Sequence, residues 1–76
     1  MKYILYEIKD EYDVVLKLTF LKYAWLNNYI TMHTEENKYI PVFIVYELDA
    51  NDEIDYICKY NGIEQIYRKC LAEYID

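Results

Sequence analysis

Glycine and proline are nearly absent from this chain: 76 residues contain one of each, Gly62 and Pro41. A single glycine excludes the glycine-rich loops that cradle phosphate, and the length and pattern exclude a dinucleotide-binding fold. Histidine is limited to His33. General acid–base chemistry would need a positioned partner for it, and no Ser–His or Cys–His arrangement can be read from the sequence. His33 is expected at a strand end, exposed beside a polar loop. Two cysteines, Cys58 and Cys70, have no paired metal-ligand spacing. They are expected on the apolar sides of two helices, packing as small reduced hydrophobes, with an inter-helix disulfide as the alternative. Bases are also scarce, eight against fourteen acids, for a net charge of −6. Affinity for a phosphate backbone comes from clustered Lys and Arg, so no direct nucleic-acid binding is expected. No apolar run is long enough to span a bilayer. The start, Met1 to Glu7, lacks a signal-peptide core and cleavage site. The expectation is a cytoplasmic protein without a membrane, metal or cofactor.

What the chain has instead is apolar and aromatic content: 55% hydrophobic and 18% aromatic residues, with eleven Tyr against two Phe. A domain of this size buries only about 60% of the surface its unfolded chain exposes. More apolar surface is present than one small core can hide, so a homo-oligomer or a partner surface is expected. Tyrosine provides contact area with a polar tip and is enriched at interfaces. Tyr12, Tyr56 and Tyr60 are the candidates for such contact.

Along the chain, residues 2–9 read as a strand rich in β-formers, followed by a polar turn at Asp10-Glu11-Tyr12-Asp13. Residues 14–33 are ambiguous. Val14, Leu18, Leu21, Trp25, Tyr29 and Met32 fall on one helical stripe. The segment is nevertheless rich in β-branched and aromatic residues, and Asn27-Asn28 suits a tight turn. Two strands, roughly 14–26 and 29–34, are preferred over one long helix. Residues 39–48 form the clearest strand, with Pro41 near its start or on an edge. The remainder reads as helical. Asp49 or Asn51 can cap a helix whose first turn holds Asp52, Glu53 and Asp55. Gly62 suits a left-handed helix end. Ile63, Ile66, Tyr67, Cys70, Leu71, Tyr74 and Ile75 make a second amphipathic stripe. The expected fold is therefore a single α+β domain: about four antiparallel strands, meander-like, over 1–48, with two C-terminal helices over 49–76 packed on one face.

The acids are the remaining feature. A calcium loop beginning at Asp49 fails, because Ile54 stands where the loop needs Gly and Tyr60 where it needs Glu. Asp10, Glu11, Asp13, Glu35, Glu36, Glu47, Asp49, Asp52, Glu53 and Asp55 could form one negative face that mimics a row of phosphates. Solubility and helix capping are the plainer explanations. In general character the chain resembles the short acidic proteins of phages and other mobile elements, many of which inhibit host defence enzymes. That resemblance implies an inhibitor of anti-CRISPR style, acting in the host cytoplasm. The expected function is a non-enzymatic protein-binding module that docks on a basic site of a nucleic-acid-handling protein. The alternative is a structural or assembly homo-oligomer.

Overall fold

Strict alternation organises the first segment: Tyr3, Leu5 and Glu7 are buried, while Lys2, Ile4, Tyr6 and Ile8 are half-buried. This period of two is that of a strand with one covered face. A computed structural model describes residues 1–10 and 13–74. Its elements are β1 (Lys2–Lys9), β2 (Asp13–Phe20), α1 (Tyr23–Glu36), β3 (Val42–Leu48), β4 (Ile54–Asn61) and β5 (Glu64–Cys70), then a 3-10 turn at Leu71–Tyr74. All five strands form one antiparallel sheet in the order β2-β1-β3-β4-β5.

Helix α1 lies on one face of this sheet. The register puts Leu18, Leu5, Val45, Cys58 and Arg68 in one row beneath it. Leu26 and Ile30 of α1 close on Tyr3, Leu5, Phe43, Val45, Cys58 and Tyr60, with Phe20 and Tyr29 packed at the margin. Leu5 and Phe43 are 0% exposed, and burying each such side chain stabilises the fold by about 1.5–3 kcal/mol. Pro41 precedes β3 and gives no ladder donor, so the strand begins after it.

The expected four strands and two C-terminal helices are not what forms: there are five strands and one α-helix, and residues 54–70 are a β-hairpin. Two physical reasons account for the difference. Tyr56, Cys58 and Tyr60 alternate towards the helix side while Ile57 and Lys59 face away, so the apparent helical stripe is divided between two faces. Gly62 has φ +63° and is the first of two turn residues between the paired Asn61 and Glu64. A positive φ serves a hairpin turn as well as a helix end. The expected strands 14–26 and 29–34 are likewise replaced by β2 and α1. The helix buries Leu26 and Ile30 and leaves Trp25 and Met32 exposed. Of the expected stripe, Trp25 and Met32 thus face solvent while Tyr29 is half-buried at the core margin, and Asn27-Asn28 is solvent-facing helix rather than a turn.

Candidate functional site

The sheet has a second face, opposite the one on which α1 lies. Its register rows are Val14–Ile8–Val42–Asn61–Glu64, Lys17–Tyr6–Ile44–Lys59–Tyr67 and Thr19–Ile4–Tyr46–Ile57–Lys69. The centre, on β1 and β3, is wholly apolar. Ile4, Tyr6, Ile8, Val42, Ile44 and Tyr46 are all half-buried there. Tyr6 and Tyr46 meet edge to face at 5.6 Å. A shallow depression of about 170 Å³ opens among Tyr6, Ile8, Val14, Ile44 and Tyr46. Lysines flank the centre: Lys17 on β2, with Nζ 5.8 Å from the Tyr6 ring centroid, and Lys59 and Lys69 on the other side. Contiguous apolar surface of this kind is rare on a monomer unless it is functional.

Two carboxylates are buried on the helix side, Glu7 at 5% and Glu47 at 7% exposure. Glu7 Oε1 lies 2.7 Å from His33 Nε2, and Glu7 Oε2 accepts from the Tyr39 hydroxyl at 3.2 Å. The His33 ring stacks on Tyr29 at 5.1 Å, and the Asn37 amide donates to the His33 carbonyl at the helix end. His33 is thus in the last turn of α1 with an acidic partner, not at an exposed strand end. Burial, followed by the charge of Glu7, raises the Tyr29 pKa, and Glu7 raises that of Tyr39. Beside this cluster lies a cleft of about 410 Å³ with Glu7, Ile8, Val15, Tyr39 and Pro41 in its wall. Glu47 accepts from Arg68 Nε at 3.2 Å, and the Arg68 guanidinium lies 3.9 Å from the Tyr56 ring centroid. Cys58 Sγ is 3.5 Å from Glu47 Oε2. Burial, then Glu47, pushes the Cys58 thiol up to about 11, which removes it as a nucleophile near neutrality. Both cysteines are free and lie on strands.

The acids named from sequence do not gather on one side. Strand direction places Asp10, Asp13, Glu35 and Glu36 at one end of the sheet, and Asp49, Asp52, Glu53 and Asp55 at the other. Strands of this length separate the two ends by about 24 Å. Glu11 and Tyr12 lie outside the described residues. Glu47 and Tyr60 are buried, Tyr60 donating to Gln65 at 3.0 Å, and Tyr56 lies under Arg68. Asp49 Oδ1 accepts from the Asn51 and Glu53 amides at 2.8 and 3.0 Å, so it organises a hairpin turn rather than a helix cap. Asp52 has φ 60° and pairs with Lys2 at 3.2 Å. Glu35 and Glu36 occupy the C-terminal turn of α1, where the helix dipole disfavours negative charge. Helix capping therefore explains neither acid group.

Sequence reasoning missed the open face because it depends on which strands are neighbours. The alternation of residues 2–9 was its available signal. Among the described residues, no group of three or more His, Cys, Asp or Glu is placed to hold a metal ion, and no helix is long and apolar enough to cross a membrane. Compared with known proteins, the chain matches no family model, no curated protein and no solved structure.

Proposed function

We propose that this protein is a protein–protein interaction module that works through the open face of its sheet. The observation that carries this reading is the apolar centre formed by Ile4, Tyr6, Ile8, Ile44, Tyr46 and Ile57 on the face of the sheet opposite α1. The chemistry of the other side chains supports binding over catalysis. His33 is engaged by Glu7, Arg68 by Glu47, and Cys58 is buried and protonated. Acids at the two ends of the sheet favour a partner with basic groups at the margins of its contact and apolar side chains in the middle. The expected inhibitory role on a basic site takes this form. Contact spreads over a face whose ends are acidic, in place of one continuous acidic row.

Lysine footprinting tests the reading. The tagged protein is acylated alone at high dilution and again in lysate of the cells that make it. Selective protection of Lys17 and Lys59 in lysate, with Lys9 and Lys38 unchanged, is expected. Equal labelling at all four sites, or protection confined to Lys22 beside Trp25 on the outer side of α1, refutes it.

A further inference from the structure

We infer that the cleft beside the Glu7–His33 pair binds a small organic ammonium, its apolar body on the cleft walls and its cationic nitrogen against the Glu7 carboxylate. This goes beyond the docking reading of the sheet face and does not depend on it. Three observations carry it. The first is that both walls are fixed in advance. Glu7 pairs with Leu16 and Ile8 with Val14, so Val15 is the extra residue of a bulge. A bulge re-aims a side chain at a sheet margin, and Val15 lines the cleft. The opposite wall is Tyr39-Ile40-Pro41, between α1 and β3. It is held twice: the Tyr39 hydroxyl donates to Glu7 Oε2 at 3.2 Å, and the Gly62 amide donates to the Pro41 carbonyl at 2.7 Å. Walls held in this way need little ordering to receive a ligand. The second is size and lining. The volume of about 410 Å³ falls within the roughly 300–1,000 Å³ of small-molecule sites. Val15 and Ile40 are exposed at its rim, and apolar walls of this kind do not suit a bare metal ion. The third is charge. Glu7 is nearly buried, and each of its oxygens has one protein donor, His33 Nε2 or the Tyr39 hydroxyl. A carboxylate oxygen has a second acceptor site, which a ligand N–H can use. Asp10 lines the same cleft, and Asp13, Glu35 and Glu36 stand at the same end of the sheet. The negative end of the α1 dipole adds to them. Of the nearby lysines, Lys9 lines the cleft but registers opposite Asp13, and Lys17 lies over the Tyr6 ring. Charge complementarity therefore selects a cation, and the walls select one with an apolar body.

Titration of the purified, isoleucine-labelled chain with hexylammonium chloride tests this by NMR, with circular dichroism as the folding control. The δ1 methyls of Ile40 and Ile8 should shift along one saturable isotherm. Half-saturation is expected at about 1 mM, the strength of a ligand this small. Ile4, Ile57 and Ile63, outside the cleft, should stay fixed. Hexanol and hexanoate, which carry no cation, should each bind at least about tenfold more weakly. Glu7→Gln should weaken hexylammonium at least about tenfold and leave hexanol unchanged, a split that mere loosening of the fold would not produce. Val15→Lys, at an exposed position, should weaken hexylammonium as much and carries the test if Glu7→Gln does not fold. Trp25→Lys, on the outer side of α1, should leave binding as it was. No shift of Ile40 at about tenfold higher concentration overturns the inference. So do equal binding of the three probes, shifts spread over Ile4 and Ile57, and full binding by a folded Glu7→Gln or by Val15→Lys.

Discussion

Glu7→Ala removes a carboxylate that is 5% exposed, lies 2.7 Å from His33 Nε2 and accepts from Tyr39 at 3.2 Å. Removing one member of a fully buried pair costs about 3–5 kcal/mol, most of it the penalty of stranding the other member. Here the stranded groups are partly wet: the His33 side chain is 23% accessible and Tyr39 is 58% exposed. The cost is therefore scaled down to about 2–3 kcal/mol. In a domain of this size that lowers Tm by about 10–20 °C. Glu7→Gln keeps the shape and one acceptor and loses only the charge, for about 1–1.5 kcal/mol. Urea unfolding at neutral pH, fitted by linear extrapolation, measures both. A double-mutant cycle with His33→Ala should give a coupling of about 1–2 kcal/mol. Equal losses for Glu7→Ala and Glu7→Gln, or a coupling near zero, would show that the carboxylate does not hold α1 to β1.

Further predictions follow from single positions. Gly62→Ala should cost about 1–3 kcal/mol in the same assay, because φ is +63° and an added Cβ meets Ile40 Cγ2 and Thr34 Cγ2, each at 3.1 Å. A neutral outcome would mean that the hairpin turn relaxes freely. The Cys58 thiol, raised from 9.0 to about 11, stays protonated in the folded chain while the unfolded chain ionises. Its stabilising contribution is complete below pH 9 and is lost as pH rises to about 11. Unfolding midpoints measured across that window should fall less in Cys58→Ala. In alkylation near neutral pH, Cys70 should react before Cys58, and equal rates would contradict the burial. Glu36→Lys should raise stability by about 0.3–1 kcal/mol by placing a cation at the helix C-terminus, and a loss would contradict the dipole account.

Residues 2–9 and 42–48 were legible as strands because their side chains alternate or run apolar between polar turns. The C-terminal hairpin was not. Positive φ at Gly62 has two structural uses, and Ile57 with Cys58 mimics a helical pair while pointing to opposite faces. Helix α1 was obscured because Trp25 and Met32 make its outer side apolar too, and Lys22 at its start provides no side-chain cap. The open face could not be read locally. It arises only when β3 inserts between β1 and β4, so that Ile4, Tyr46 and Ile57, distant in sequence, become one row. The partner of His33 was hidden for the same reason: Glu7 is 26 residues away.

The central claim is that the open sheet face is the working surface, and isoleucine methyl resonances report on it directly. Labelled protein is followed by NMR as lysate of the cells that make it is added. The δ1 methyls of Ile4, Ile8, Ile44 and Ile57 are predicted to shift together along one binding isotherm. Ile30, on the buried side of α1, and Ile63, exposed in the β4–β5 turn, are predicted to stay fixed. Shifts confined to Ile63 and Ile66, or a face that stays silent in lysate, would contradict the claim.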